Sequence, residues 1–203
     1  MRWLRPLIAL ACCGLVLSAC GADNGGGRAS ALSAAMRTLE RQSRPIGVGA
    51  SFQEPARGPV IGPCRQPLGS RTQTHVELFA ENRVVLIAAG IGVGRPVRKL
   101  DSQVLAARCY GALVTLDPTG VILTRPGRSL TLADLFRSWG QPLSRTRMGP
   151  FTAPAGAEVR VYVDGRRRAV DPRAVTLAPH AEIVLEVGPF VPPHSRYTFA
   201  PTP

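Results

Sequence analysis

Thr131-Leu132-Ala133-Asp134-Leu135-Phe136-Arg137-Ser138-Trp139-Gly140 is the stretch on which the fold turns. Leu132, Leu135, Phe136 and Trp139 recur at i, i+3, i+4 and i+7, which places four large apolar side chains on one face of a helix. Thr131 with Asp134 three residues on reads as a capped N-terminus. Gly140 and Pro142 stop the segment. A helix this short gains its stability from the surface it covers, so Trp139 is expected in a core rather than in a sugar-binding platform.

The flanking segments predict that surface. His75 to Ala80 alternates with a period of two, Val76 and Leu78 falling on one side, and Arg83 to Ala88 returns after a turn at Glu81-Asn82. Gly90, Gly92 and Gly94 follow, but neither a Lys-Ser pair nor a helix start comes after them, so they read as a turn and not a phosphate loop. Tyr110 to Leu116 is read as a strand, Asp117-Pro118-Thr119-Gly120 as a type I turn, and Val121 to Leu123 as the returning strand. Beyond the helix, Glu158 to Val163 alternates into Asp164-Gly165, a hairpin signal, and Ala181 to Val187 forms a last strand before a Pro-rich tail. The units Val76–Arg83 and Val159–Arg166 resemble each other, each a strand turning at an acid into arginine. The expected class is α+β: a small, mostly antiparallel sheet built from β-hairpins and packed on one main helix (131–139). A β-grasp-like arrangement is one form of it.

The N-terminus carries a different message. Met1 to Arg5 holds two arginines and no acid, and Pro6 to Ala19 is uncharged. That is a secretory signal, too short for a permanent membrane span. It closes on Leu17-Ser18-Ala19-Cys20, the pattern of a bacterial lipobox. The expectation is a signal peptide at 1–19, diacylglycerol and palmitate on Cys20, and a cell-membrane location on the extracytoplasmic face. Residues 20–59 read as a tether, Gly- and Asn-rich at first, with a short helix predicted over 30–42 (Leu32, Met36 and Leu39 on one face) that Pro45 ends. A single globular domain is expected over 60–203.

Of 25 basic residues and 13 acids, Arg2 and Arg5 leave with the signal, so the mature chain keeps a net charge of +10. Such a field favours anionic lipid, wall polymer or acidic envelope proteins as partners. An exported chain without a binding motif excludes nucleic acid. Arg166-Arg167-Arg168 is the one basic run, read as a basic surface. Cys64 and Cys109, the pair left after Cys20, read as a disulfide in an oxidising compartment. The alternative, a reactive thiol, needs a base or cation beside it, and neither cysteine has a histidine nearby in sequence.

Residues 60–200 resemble a family of uncharacterised secreted or membrane-anchored bacterial proteins, many of them actinobacterial. Its members carry a cysteine, a His-x-His-x-His-Leu strand, an Ala-Gly-Ile-Gly turn, a second cysteine before Leu-His-Thr-His-Asp, a Trp-Gly helix, and Val-Asp-Gly with Asp-Pro-Arg. The matching residues here are Cys64, Ala89-Gly90-Ile91-Gly92, Cys109, Asp117, Gly120, Phe136, Trp139-Gly140, Val163-Asp164-Gly165, Asp171-Pro172-Arg173 and His180, with Pro192-Pro193 and Tyr197-Thr198-Phe199 in the tail. The family histidines suit copper or zinc. In the first strand of this chain His75 alone keeps its place, with Arg71 and Gln73 at the other two positions; Val114, Leu116 and Leu123 stand at later family histidines, and Arg125 replaces an acid.

The expected function is therefore a non-catalytic envelope lipoprotein with a binding or scaffold domain and no cofactor. There is no Gly-x-Ser-x-Gly elbow and no His-Glu-x-x-His, so an enzyme would have to work from carboxylates the sequence does not single out. The alternative is a metal-binding lipoprotein with a reduced histidine site: His75 and His180 as weak candidates, with His194 and an acid such as Glu77. His180, in Pro179-His180-Ala181, reads first as a turn residue.

Overall fold

In the computed structural model, residues 46–201 are described. The signal at 1–19, Cys20 and the helix expected over 30–42 lie outside the described residues.

The alternating segment at His75 forms β1 (Thr72–Ala80), the longest strand of a seven-stranded sheet. β2 (Arg83–Val85) returns along its end, shorter than the sequence predicted. β3 (Val93–Leu100) and β4 (Gln103–Tyr110) then leave the sheet and pair with each other as a two-stranded arm, with Tyr110 also bridged to Arg65. Where one strand from Tyr110 to Leu116 was expected, Tyr110 ends the arm and β5 (Leu113–Val114) is a two-residue edge. β6 (Val121–Thr124) pairs antiparallel with β5 and with the start of β1.

The helix α1 (Leu132–Trp139) follows, with its N-terminal N–H at Thr131 donating to the Asp134 carboxylate at 3.0 Å. Its buried face is the expected one: Leu132, Leu135, Phe136 and Trp139 are all at most 1 % exposed. Each contributes roughly 1.5–3 kcal/mol by leaving water. The Trp139 indole N–H donates to the Glu54 carbonyl at 2.8 Å, which satisfies its one polar atom. β7 (Leu143–Ser144), β8 (Arg147–Met148) and β9 (Phe151–Thr152) form a small meander beside the helix. β10 (Arg160–Val163) and β11 (Arg166–Arg168) make the hairpin that Asp164-Gly165 predicted. The exposed Arg166, Arg167 and Arg168 thus form a charged edge strand, which discourages sheet-to-sheet association.

β12 (Glu182–Val187) closes the sheet in the order β11-β10-β12-β1-β6-β5. It runs parallel to β1, with His75 opposite Glu182 and Glu77 opposite Val184. The sheets are otherwise antiparallel, so the α+β class holds with this one parallel seam at the centre.

Alternation divides the sheet's faces. Val76, Leu78, Ile122, Val161, Ile183 and Leu185 pack with α1 in the main core. His75, Glu77 and Phe79 on β1, and Glu182, Val184 and Glu186 on β12, therefore face the other way. On that second face Phe79, Tyr162, Val184 and Val191 make a smaller apolar cluster. Phe52, within the stretch read as tether, is buried in the main core, and its carbonyl accepts the Leu86 N–H at 2.9 Å. The expected disulfide joins Cys64 to Cys109 and ties the base of the arm to the segment before β1. Among the described residues, no helix is long and apolar enough to cross a membrane.

Candidate metal centre

The second face of the sheet gathers the polar chemistry. Because β1 and β12 are parallel and in register, His75 and Glu182 are direct neighbours, and Glu77 lies two residues along β1 on the same face. A ligand atom from each of His75, Glu77 and Glu182 lies within 4.8 Å of the others. His75 and Glu182 are buried and Glu77 is half-buried.

Both ring nitrogens of His75 are engaged. Nε2 lies 2.9 Å from the Thr119 carbonyl, which can only accept, so Nε2 carries a proton. Nδ1 lies 2.7 Å from Glu182 Oε2, a contact that needs one further proton between the two groups. Burial disfavours the imidazolium, but the Glu182 hydrogen bond and charge, helped by the Thr119 carbonyl, raise the His75 pKa above its ordinary value. Burial raises Glu182 as well, partly offset by His75. One proton is shared between Nδ1 and Oε2 across the 2.7 Å contact. Glu182 Oε1 is buried and has no hydrogen-bond partner among the described residues.

The loop that supplies the Thr119 carbonyl is built for this approach. Thr119 is pinned through its N–H and hydroxyl to the Asp117 carboxylate. Gly120 follows at φ 82°, where an added Cβ would sit 2.5 Å from the Val76 carbonyl and 3.1 Å from His75 Nε2. Only glycine fits both the conformation and the space.

This arrangement suits a divalent cation. With Nε2–H fixed on a carbonyl, Nδ1 is the nitrogen left to bind a metal once the proton shared with Glu182 leaves, the arrangement metal-bound histidines commonly show. A metal would replace the shared proton, and two carboxylates would neutralise its charge. Tetrahedral ligands at zinc distances are about 3.4 Å apart, so side-chain shifts on the order of 1 Å would close the set. A hollow of about 100 Å³ opens beside His75, Glu77, Thr119 and Gly120. A larger groove, about 1070 Å³, lies elsewhere, under the arm, and is lined by Arg57, Arg95, Lys99 and Asp101. Among the described residues, the clustered ligand groups lie beside the smaller hollow.

The sequence candidates divide. His75 is central. His180 stands exposed in a turn at φ 59°, its ring 5.1 Å from that of Phe199, and is not part of the cluster. His194 reaches the site from the tail, with Nδ1 2.8 Å from Glu77 Oε1. Glu182 was not singled out: it lies within the last strand read from the sequence, and only its pairing with β1 brings it beside His75. Where the resemblance places histidines or an acid, other contacts stand. Arg71 is buried and donates to the Leu68 carbonyl at 2.9 Å and the Gly111 carbonyl at 2.8 Å, while Arg125 reaches Tyr110 and Gly111. Val114 and Leu123 join an apolar cluster with Ala107 and Tyr110.

Comparison of the chain with protein-family models, with curated proteins and with solved structures returns no match.

Proposed function

We propose that this chain is a lipid-anchored, extracytoplasmic binding protein whose ligand is a divalent transition metal of the zinc class, held by His75, Glu77 and Glu182. The observation that carries the reading is a buried carboxylate with one oxygen on a proton-sharing histidine and the other without a partner, beside a third ligand group. Buried carboxylates are ordinarily paired or metal-bound, and leaving one lone pair unmet is expensive. One imidazole and two carboxylates favour zinc over the softer cuprous ion.

The lipobox ending at Cys20 supports the anchor, and the resemblance to secreted and membrane-anchored bacterial proteins agrees with it. A β-grasp-like reading of the domain is supported by the order β6-β1-β12-β10, with a parallel central pair and the helix between its two halves in sequence. The cationic groove under the arm favours anionic lipid or wall polymer as a further partner.

The test is direct. Full-length protein stripped with chelator is titrated with Zn²⁺ and with Co²⁺. One equivalent bound at micromolar affinity or tighter, and lost in both His75→Ala and Glu182→Gln, is the expected result. Absence of stoichiometric binding refutes the metal reading. Mass spectrometry of the membrane-extracted protein checks the anchor separately: acyl chains on Cys20, missing in Cys20→Ala.

A further inference from the structure

Residues 189–201 form neither helix nor strand, yet they cross the second face of the sheet. Val191 is fully buried beside Phe79, Tyr162 and Val184. Beyond it, the tail is tied down mainly by side chains. His194 Nδ1 lies 2.8 and 2.9 Å from the two oxygens of Glu77. The Tyr197 ring stacks on His75 with centroids 3.7 Å apart and planes 14° from parallel. Gln73 donates to the Ala200 carbonyl at 2.9 Å. Ser195 lies so close to Gly165 that an added Cβ there would meet it at 2.7 Å.

Two of these contacts fall on the candidate metal ligands themselves. We propose that the tail is a working part of the metal centre: His194 is a positioning residue that orients Glu77, and Tyr197 shields His75, so that metal binding and closure of residues 189–201 are linked. This rests on the reading of His75, Glu77 and Glu182 as metal ligands.

The chemistry follows from the geometry. A neutral His194 donates one N–H to Glu77. When a metal takes one carboxylate oxygen, the other remains to accept that hydrogen bond. Outer partners of this kind fix the ligand's orientation, and their loss weakens metal binding by about 10–100-fold. The Tyr197 ring meanwhile covers the imidazole face and keeps water from it. If the closed tail tightens metal binding by some factor, bound metal must favour the closed tail by the same factor. Pro189, Pro192 and Pro193 reduce the freedom of the open tail, which lowers the entropy lost on closing.

Arg196 provides the readout, because it is exposed in the middle of the tail. Trypsin cleavage there releases residues 197–203, a peptide that mass spectrometry can follow in time. In the full-length protein, saturating Zn²⁺ is expected to slow that release about 10-fold. His194→Ala is expected to keep one equivalent of Zn²⁺ but to lose it to a chelator about 10-fold faster, with the protection at Arg196 gone. His194→Gln keeps an N–H donor and is expected to restore both. The metal-free melting temperatures of the three proteins should agree, which separates a positioning role from general destabilisation. Zinc bound at one equivalent with the same release rate and the same protection in wild type and His194→Ala would overturn the link and leave the strand ligands standing. No zinc bound by any of the three would overturn the strand ligands as well.

Discussion

Replacing His75 with Phe and Glu182 with Leu together is expected to leave the metal-free protein at least as stable as the wild type, although each change alone weakens it. His75 is 5 % exposed and Glu182 1 %, and they meet at 2.7 Å. His75→Phe keeps the ring stacked under Tyr197 but strands a buried carboxyl, which costs about 3–5 kcal/mol. Glu182→Leu leaves His75 Nδ1 unmet, a loss of about 1–3 kcal/mol. If the effects added, the double variant would fall by about 4–8 kcal/mol. With both groups gone, no buried charge remains at these two positions, and apolar replacement of such a pair is typically neutral or stabilising by about 1–4 kcal/mol. Urea unfolding of the four proteins in excess chelator closes the double-mutant cycle. A double variant as unstable as the summed singles would refute the reasoning. Metal should reverse the ranking: at a hundred times Kd the wild type gains about 2.7 kcal/mol, or roughly 5–10 °C in Tm, and the double variant gains nothing.

Trp139→Phe is expected to destabilise by about 1–3 kcal/mol, since it removes the indole bond to Glu54 and part of a fully buried ring; thermal unfolding measures it. Cys64→Ser with Cys109→Ser opens a 45-residue closed loop, and chain entropy gives a loss of about 4 kcal/mol, read from the urea midpoint. Asp171 is held at about 2 by its hydrogen bonds to Arg173, so it stabilises the fold above its unfolded pKa. The stability gap between wild type and Asp171→Asn should accordingly stay flat from neutral pH to about 5 and shrink between about 4 and 2. A gap that grows on acidification would contradict the assignment.

What could be read from the sequence was whatever short-range chemistry dictates. The helix at 132–139 shows because cap, apolar spacing and stop all fall within ten residues. The Asp164-Gly165 hairpin shows for the same reason. The arm did not: Arg95-Pro96-Val97-Arg98-Lys99 breaks the alternation, since the arm buries only part of one face and lies outside the main sheet. Nor did the short length of β2, because the apolar run continuing through Ile87 is buried as loop. Of the site, His75, His194 and Glu77 belong to the alternative metal site read from the sequence, together with His180, which lies apart. Glu182 was hidden, as its function depends on a parallel pairing that no local pattern encodes. The tail that covers the second face was read only as Pro-rich, without a place in the fold.

The parallel seam between β1 and β12 has a consequence in time. His75 and Glu182 are 107 residues apart. A chain made from its N-terminus at about 5–20 residues per second waits roughly 5–20 s after His75 before its central partner exists. Until then β2, β1, β6 and β5 can pair with one another, but β10 and β11 have no partner through which to join them. The sheet is therefore completed late, when its last strand arrives between its two halves. For the exported protein proposed above, this delay is an advantage: the sheet cannot lock across its centre until the chain is nearly complete, which leaves it loose enough to thread through a narrow channel.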